Sequence, residues 1–130
     1  MHTAAAHTQP GRRAVPRAAF GVLTGLLLAA AILTAVSRGS GWWQFFTFAA
    51  APDLALFLGV GSGLQKGQLH PRAVRLYNAL HSYWGPALLA AVAVALPGGY
   101  LAGALAWAFH ISLDRSVGYG KRTRDGFQRS

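Results

Sequence analysis

The sequence predicts an all-α membrane protein, a bundle of four transmembrane helices with both termini in the cytoplasm, and three observations predict it. Of 130 residues, 53% are hydrophobic and only 12% charged, about half the charged share of a soluble domain. The apolar residues gather into four runs of roughly 20 residues, the length that crosses a hydrocarbon core of ~30 Å as a helix. The 12 basic residues stand between and beyond those runs.

A formal charge of +9 would suggest nucleic acid as partner in a soluble protein. Here no basic and aromatic residues interleave along a polar face, so the expected partner is the lipid bilayer and not nucleic acid. The chain has no cysteine, which excludes a disulfide framework and a thiolate metal site. Any metal would have to be held by His, Asp or backbone oxygen.

Residues 1–17, with His2, His7, Arg12, Arg13 and Arg17, have no apolar periodicity and read as a flexible basic tail. Residues 18–36 form the first span. A signal peptide is the competing reading, but the run exceeds an h-region of about 7–15 residues and no small-residue cleavage site follows. The second span, 42–64, opens on Trp42 and Trp43, rings suited to a headgroup interface. Pro52 lies inside it, removes a backbone donor and should bend the helix, and Asp53 follows at once. A polar loop carries Lys66, Pro71, Arg72 and Arg75. The third span, 76–96, has Tyr77, Asn78, His81, Ser82 and Tyr83 near its start. After a Pro97-Gly98-Gly99 turn, the fourth span, 100–119, ends in His110 and Asp114, and residues 120–130 form a basic tail. Gly21/Gly25, Gly59/Gly63 and Gly99/Gly103 are spaced for close helix packing.

With four spans, Arg38 alone lies on one side and the other eleven basic residues on the opposite side. The positive-inside rule then puts both termini and the 65–75 loop in the cytoplasm, with the chain a multi-pass protein of the inner membrane.

Ionisable groups inside apolar runs need a reason. At ~1.5 Å per residue, Asp53, His81, His110 and Asp114 fall roughly 8–16 Å from the cytoplasmic span ends. His110 and Asp114 are one helical turn apart and share a face. Two readings stay open. One is a structural network, with Asp53 bonded to His81 or Asn78 and Asp114 to Arg115 or Arg75. The other is a metal or acid/base pocket, in which His81 and His110 supply nitrogen and Asp53 and Asp114 oxygen to zinc or manganese, with the same four residues as candidate catalytic groups. Asn78, Arg115, Tyr119 and Lys121 are the candidate ligand-binding residues. Arg115, Lys121 and Arg122 could receive a phosphate or anionic headgroup, or be an ordinary positive flank.

The strings A-P-D-L at 51–54, Y-N-x-x-H-x-Y at 77–83, H-x-x-x-D-R-x-x-G-Y-G-x at 110–121 and Gly126-Phe127 resemble those of a family of small bacterial membrane proteins, domain of unknown function 4260. The resemblance runs from about Ala18 to Phe127. It implies a fold and a membrane location and no established activity. Lys121 stands where that family usually has an apolar residue, and the tail after Phe127 is short. The order Pro52-Asp53, His81, His110/Asp114 is also similar in pattern to membrane-bound metal-dependent hydrolases, which implies a phosphate-bearing or lipid-like substrate. Their second acid is missing here, with Ala55 in its place.

Overall fold

The computed structural model describes residues 14–39, 41–96 and 99–129. Most of the basic N-terminal segment, with His2 and His7, and Pro97-Gly98 lie outside the described residues. The elements are α1 (Arg17–Arg38), α2 (Trp42–Ala50), a 3₁₀ turn (Ala51–Leu54), α3 (Ala55–Leu58), α4 (Pro71–Leu80), α5 (Trp84–Ala95) and α6 (Leu101–Ser116). Among the described residues there is no strand, and one isolated antiparallel bridge joins Arg122 and Gln128.

Helix α6 is the centre, packed against α1, α2 and α5. Side-chain pairs give the directions. Arg115 lies over the Phe20 ring while the Arg38 side chain lies against Gly99 at the other end, so α1 runs antiparallel to α6. Trp43 meets Tyr100 and Phe48 meets Trp107, so α2 runs parallel to α6. The Tyr83 hydroxyl bonds Ser112 Oγ at 2.7 Å and Gly85 lies under Trp107, which makes α5 antiparallel. These approaches need glycine. A Cβ on Gly103 would sit 2.7 Å from the Phe48 ring, and one on Gly85 would overlap Trp107.

The packing is inside-out by the standard of a water-soluble domain. Its interior holds Ala31, Ala35, Ala102, Ala104 and Ala106 together with Thr24, Gln44, His81, His110 and Ser112, whereas Leu26, Leu33, Phe46, Phe57, Leu88 and Val94 are exposed. Helix α1, 22 residues long, is the one described helix long and apolar enough to cross a membrane.

Two of the expected spans are broken. Residues 42–64 were expected as one helix, but helical structure ends at Leu58. Pro52 has no N–H for the Phe48 carbonyl, and the chain passes through a 3₁₀ turn in its place. Residues 76–96 were also expected as one helix, but α4 ends at Leu80 and α5 starts at Trp84. Pro86 cannot donate to the Ser82 carbonyl, and its ring would strike that carbonyl in a continuous helix. Helix α4 starts at Pro71, inside the expected loop, with the His70 ring as cap: Nδ1 accepts from the Arg72 amide at 3.2 Å. It is amphipathic, burying Ala73, Val74 and Tyr77 and exposing Arg72 and Arg75.

The broken ends are closed from α6. Trp107 Nε1 donates to the Leu80 carbonyl at 2.7 Å and Arg115 Nη2 to the His81 carbonyl at 3.4 Å, satisfying acceptors that the end of α4 leaves free. At the start of α6, Gln44 Oε1 accepts from the Gly103 amide at 3.2 Å.

The C-terminal segment, read from sequence as a basic tail, is ordered against the rest. Asn78 accepts from the Arg122 amide at 2.7 Å and donates to the Arg122 carbonyl at 3.0 Å, imitating a strand partner. The Leu69 amide donates to the Gly126 carbonyl at 2.9 Å. Gly126 has φ +97°, and a Cβ there would overlap the Leu69 carbonyl. Gly126→Ala should therefore cost ~2 kcal/mol or more, seen as a lower thermal midpoint and faster amide exchange at Leu69. Gly120 has open space around its Cβ position and no positive φ, and Gly120→Ala should leave both measurements unchanged.

Candidate metal centre

Three elements bring the four ionisable residues together: the 3₁₀ turn supplies Asp53, the end of α4 supplies His81, and α6 supplies His110 and Asp114. His81 Nε2 lies 3.3 Å from both Asp53 Oδ1 and Asp114 Oδ2. His110 Nε2 lies 3.2 Å from Asp53 Oδ1 and 3.4 Å from Asp114 Oδ2. The two Nε2 atoms are 3.2 Å apart, and one ligand atom from each residue lies within 4.8 Å of all the others.

The other imidazole nitrogens fix what these atoms can do. His81 Nδ1 is 2.8 Å from the Tyr77 carbonyl and His110 Nδ1 is 2.7 Å from the Ala49 carbonyl. A carbonyl only accepts, so each Nδ1 carries the proton. In neutral imidazole each Nε2 is then an acceptor. With both imidazoles neutral, four acceptors, two nitrogen and two carboxylate, converge with no donor among them.

The local sequence explains both carbonyls. A 3₁₀ turn points its amides three residues back instead of four, so the carbonyl of Ala49, which the Asp53 amide would take in an α-helix, is left for His110. At the end of α4 the Tyr77 carbonyl accepts from both the backbone amide of His81 and its ring. Tyr77 also stacks on the His81 ring at 4.0 Å between centroids.

The arrangement fits a tetrahedral cation. Ligand bonds of ~2.0–2.1 Å correspond to ligand–ligand edges of about 3.3–3.4 Å. Five of the six edges here measure 3.2–3.4 Å, and the sixth, between the two carboxylate oxygens, lies within 4.8 Å, so the carboxylates would draw together around an ion. Imidazoles that ligate through Nε2 usually donate Nδ1–H to a carbonyl or carboxylate, and both do so here. Of the partners the structural reading gave the carboxylates, Asp53 takes His81, at 3.3 Å. Among the described residues they pair with imidazole alone, not with Asn78, Arg75 or Arg115.

The imidazoles are buried, while the Asp53 and Asp114 side chains are 49% and 22% exposed. They open on a cavity of about 270 Å³ whose wall includes Tyr77, Tyr119, Arg122 and Gln128. Of the ligand-binding candidates from sequence, Tyr119 lines this cavity. Asn78 is spent on the Arg122 backbone. Arg115 lies between the Tyr83 and Phe20 rings, 4.8 and 5.6 Å from their centroids, and lines a different cavity with Ser82 and Trp84. Lys121 is exposed and lines neither. Arg122 lies 5.0 Å over the Tyr77 ring, completing a stack of guanidinium, phenol and imidazole. Gln128 carried no signal in the sequence, because nothing there showed that the terminal segment folds back.

The site lies near one end of the bundle. His81 sits in the break between α4 and α5, and Asp114 stands in the last turn of α6. The cluster is therefore at the end of the apolar helices, beside the polar loop and the C-terminal segment.

Neither a curated protein nor a solved structure matches the chain. The family model that does match covers residues 22–130, including all four residues of the cluster, and by that match the chain belongs to the family described as domain of unknown function, DUF4260.

Proposed function

We propose that this chain is an integral membrane protein whose His81, His110, Asp53 and Asp114 hold one divalent transition-metal ion at the cytoplasmic end of a four-crossing bundle. The observation that carries the metal is the convergence of two imidazole nitrogens and two carboxylate oxygens, with five of their six separations at 3.2–3.4 Å and both Nδ1 atoms committed to carbonyls. Two imidazole nitrogens with two carboxylate oxygens suit zinc or manganese. Because the carboxylates face the cavity, an ion there stays reachable by a ligand, unlike a closed structural site. That exposure also favours a second, hydrolytic reading, in which the ion supplies Lewis-acid polarisation to a phosphate-bearing or lipid-like substrate.

The bilayer is supported by the apolar exterior and the small and polar interior, the pattern of helices that associate in lipid. The crossings would be α1, the α2–α3 run, α5 and α6. As 16 residues, α6 spans only about 24 Å, and Trp42, Trp43 and Tyr100 at one end would sit in the headgroup layer. The sidedness rests on charge. The Arg17 guanidinium lies against Gly118, near the basic loop and terminal segment, and Arg38 lies at the opposite end, so the positive-inside rule makes the cluster's end cytoplasmic.

Elemental analysis of the wild-type protein in mild detergent should find one zinc or manganese per chain. His110→Ala and Asp114→Ala should each lose it, and a folded wild-type protein without stoichiometric metal would overturn the reading. Pro52→Ala should keep the fold but weaken metal binding about 10-fold or more, because it returns the Ala49 carbonyl to the helix and leaves the His110 ring unsupported.

For topology, the absence of native cysteine allows a direct measurement. Ser37→Cys and Lys66→Cys should react with an impermeant thiol reagent from opposite faces of sealed membranes. Reaction of both from one face would exclude the four-crossing arrangement.

A further inference from the structure

We infer that the cavity beside the cluster takes a phosphate group, free or as a lipid headgroup, bound between the metal ion and Arg122. The inference rests on the metal reading above. The cavity, about 270 Å³, is below the ~300–1,000 Å³ of sites for drug-sized ligands, which suits a small anionic group and not a whole lipid.

Its lining carries both charges: Asp53 and Asp114 share it with Arg122, Tyr119 and Gln128. A bound dication neutralises the two carboxylates. Arg122 then remains a cation that has no carboxylate partner among the described residues. Its Nη1 is fixed by the Gly67 and Gly126 carbonyls at 3.0 and 2.8 Å, its face lies over Tyr77, and its Nε is buried without a partner. Nη2 meets no protein acceptor among the described residues. Gln128 Oε1 accepts from the Gly120 amide at 3.1 Å, so its remaining amide hydrogens are the ones free to donate. The Tyr119 hydroxyl adds a third donor. Three donors and a metal ion call for an oxyanion with more than two acceptor oxygens. Phosphate has them, a carboxylate does not, and a rigid guanidinium fork matches phosphate geometry.

The probe is manganese-loaded protein in detergent, with ³¹P relaxation of two ligands: inorganic phosphate and monomeric dihexanoyl phosphatidic acid. Manganese content is measured first. Protein that takes up no manganese overturns the metal reading and this inference with it. Loaded protein that relaxes neither phosphorus overturns this inference alone. Relaxation of inorganic phosphate supports it with free phosphate as the source, and relaxation of the phosphatidic acid alone supports it with a lipid headgroup as the source. Arg122→Gln should weaken binding roughly tenfold or more. Because Arg122 also ties down the terminal segment, Gln128→Glu is the second variant: it keeps the acceptor for Gly120, adds a negative charge to the cavity, and should weaken phosphate binding while manganese stays bound. The exposed Arg124 lies outside the cavity, so Arg124→Gln should bind as wild type does. Equal losses from Arg124→Gln and Arg122→Gln would show attraction by net surface charge and overturn the site.

Discussion

An imidazole has two nitrogens, and committing the proton of one to a carbonyl leaves the other as a pure acceptor. His81 and His110 both make that commitment, to Tyr77 and Ala49, and both turn the remaining nitrogen toward the same two carboxylates. Much of the surrounding architecture follows from supplying those carbonyls. A regular α-helix keeps its carbonyls for its own amides, so each imidazole is placed where a helix stops being regular. Pro52 interrupts one run and Pro86 the other. Helix α6 lies across both interruptions and returns hydrogen bonds to them through His110, Trp107 and Arg115.

The alternative to a metal is a proton. One imidazolium between two carboxylates would satisfy the geometry electrostatically, but a second proton would set two N–H groups head to head across 3.2 Å. A purely structural device would also have no need for two of the chain's three acidic residues at one point with neither paired to arginine. Leaving such carboxylates in a partly desolvated site costs several kcal/mol per ion unless compensated, and twelve basic residues were at hand to do it. Arg115, next to Asp114 in the chain, and Arg122, in the cavity lining, are instead turned onto aromatic rings and backbone carbonyls. That leaves the carboxylates to the two imidazoles and, on the metal reading, to an ion held between them.

The meeting of Asp53, His81, His110 and Asp114 was legible in the sequence because ionisable residues inside apolar runs stand out, and because His110 and Asp114 are one turn apart. The helical class was legible from the same runs. The breaks were half legible. Pro52 announced its own, but Pro86 sits in a run so rich in Ala, Val and Leu that hydropathy outweighed it, and the expected third span absorbed α4, the break and α5. The terminal segment was the least legible part. Lys121, Arg122 and Arg124 look like any positive flank, and what folds them back is a two-point bond from Asn78 and the single conformation open to Gly126. Neither contact leaves a periodic trace in the sequence. The sequence does not separate Lys121 from Arg122: adjacent residues in an extended segment face opposite ways, and only the pairing with Asn78 decides which one turns inward.

That pairing also links the cavity to helix α4. Tyr77 lies between Arg122 and His81, so the buried face of α4 forms one side of the cluster and, through its ring, the floor under the guanidinium. Helix α4 is the amphipathic element, with Arg72 and Arg75 outward and Ala73, Val74 and Tyr77 inward. A helix of that kind belongs at a boundary between polar and apolar surroundings. If the bundle spans a bilayer as proposed, the cluster's cavity belongs at that boundary and not in the hydrocarbon, with the exposed carboxylate oxygens facing the polar side and the buried imidazoles that fix their position held by the helices.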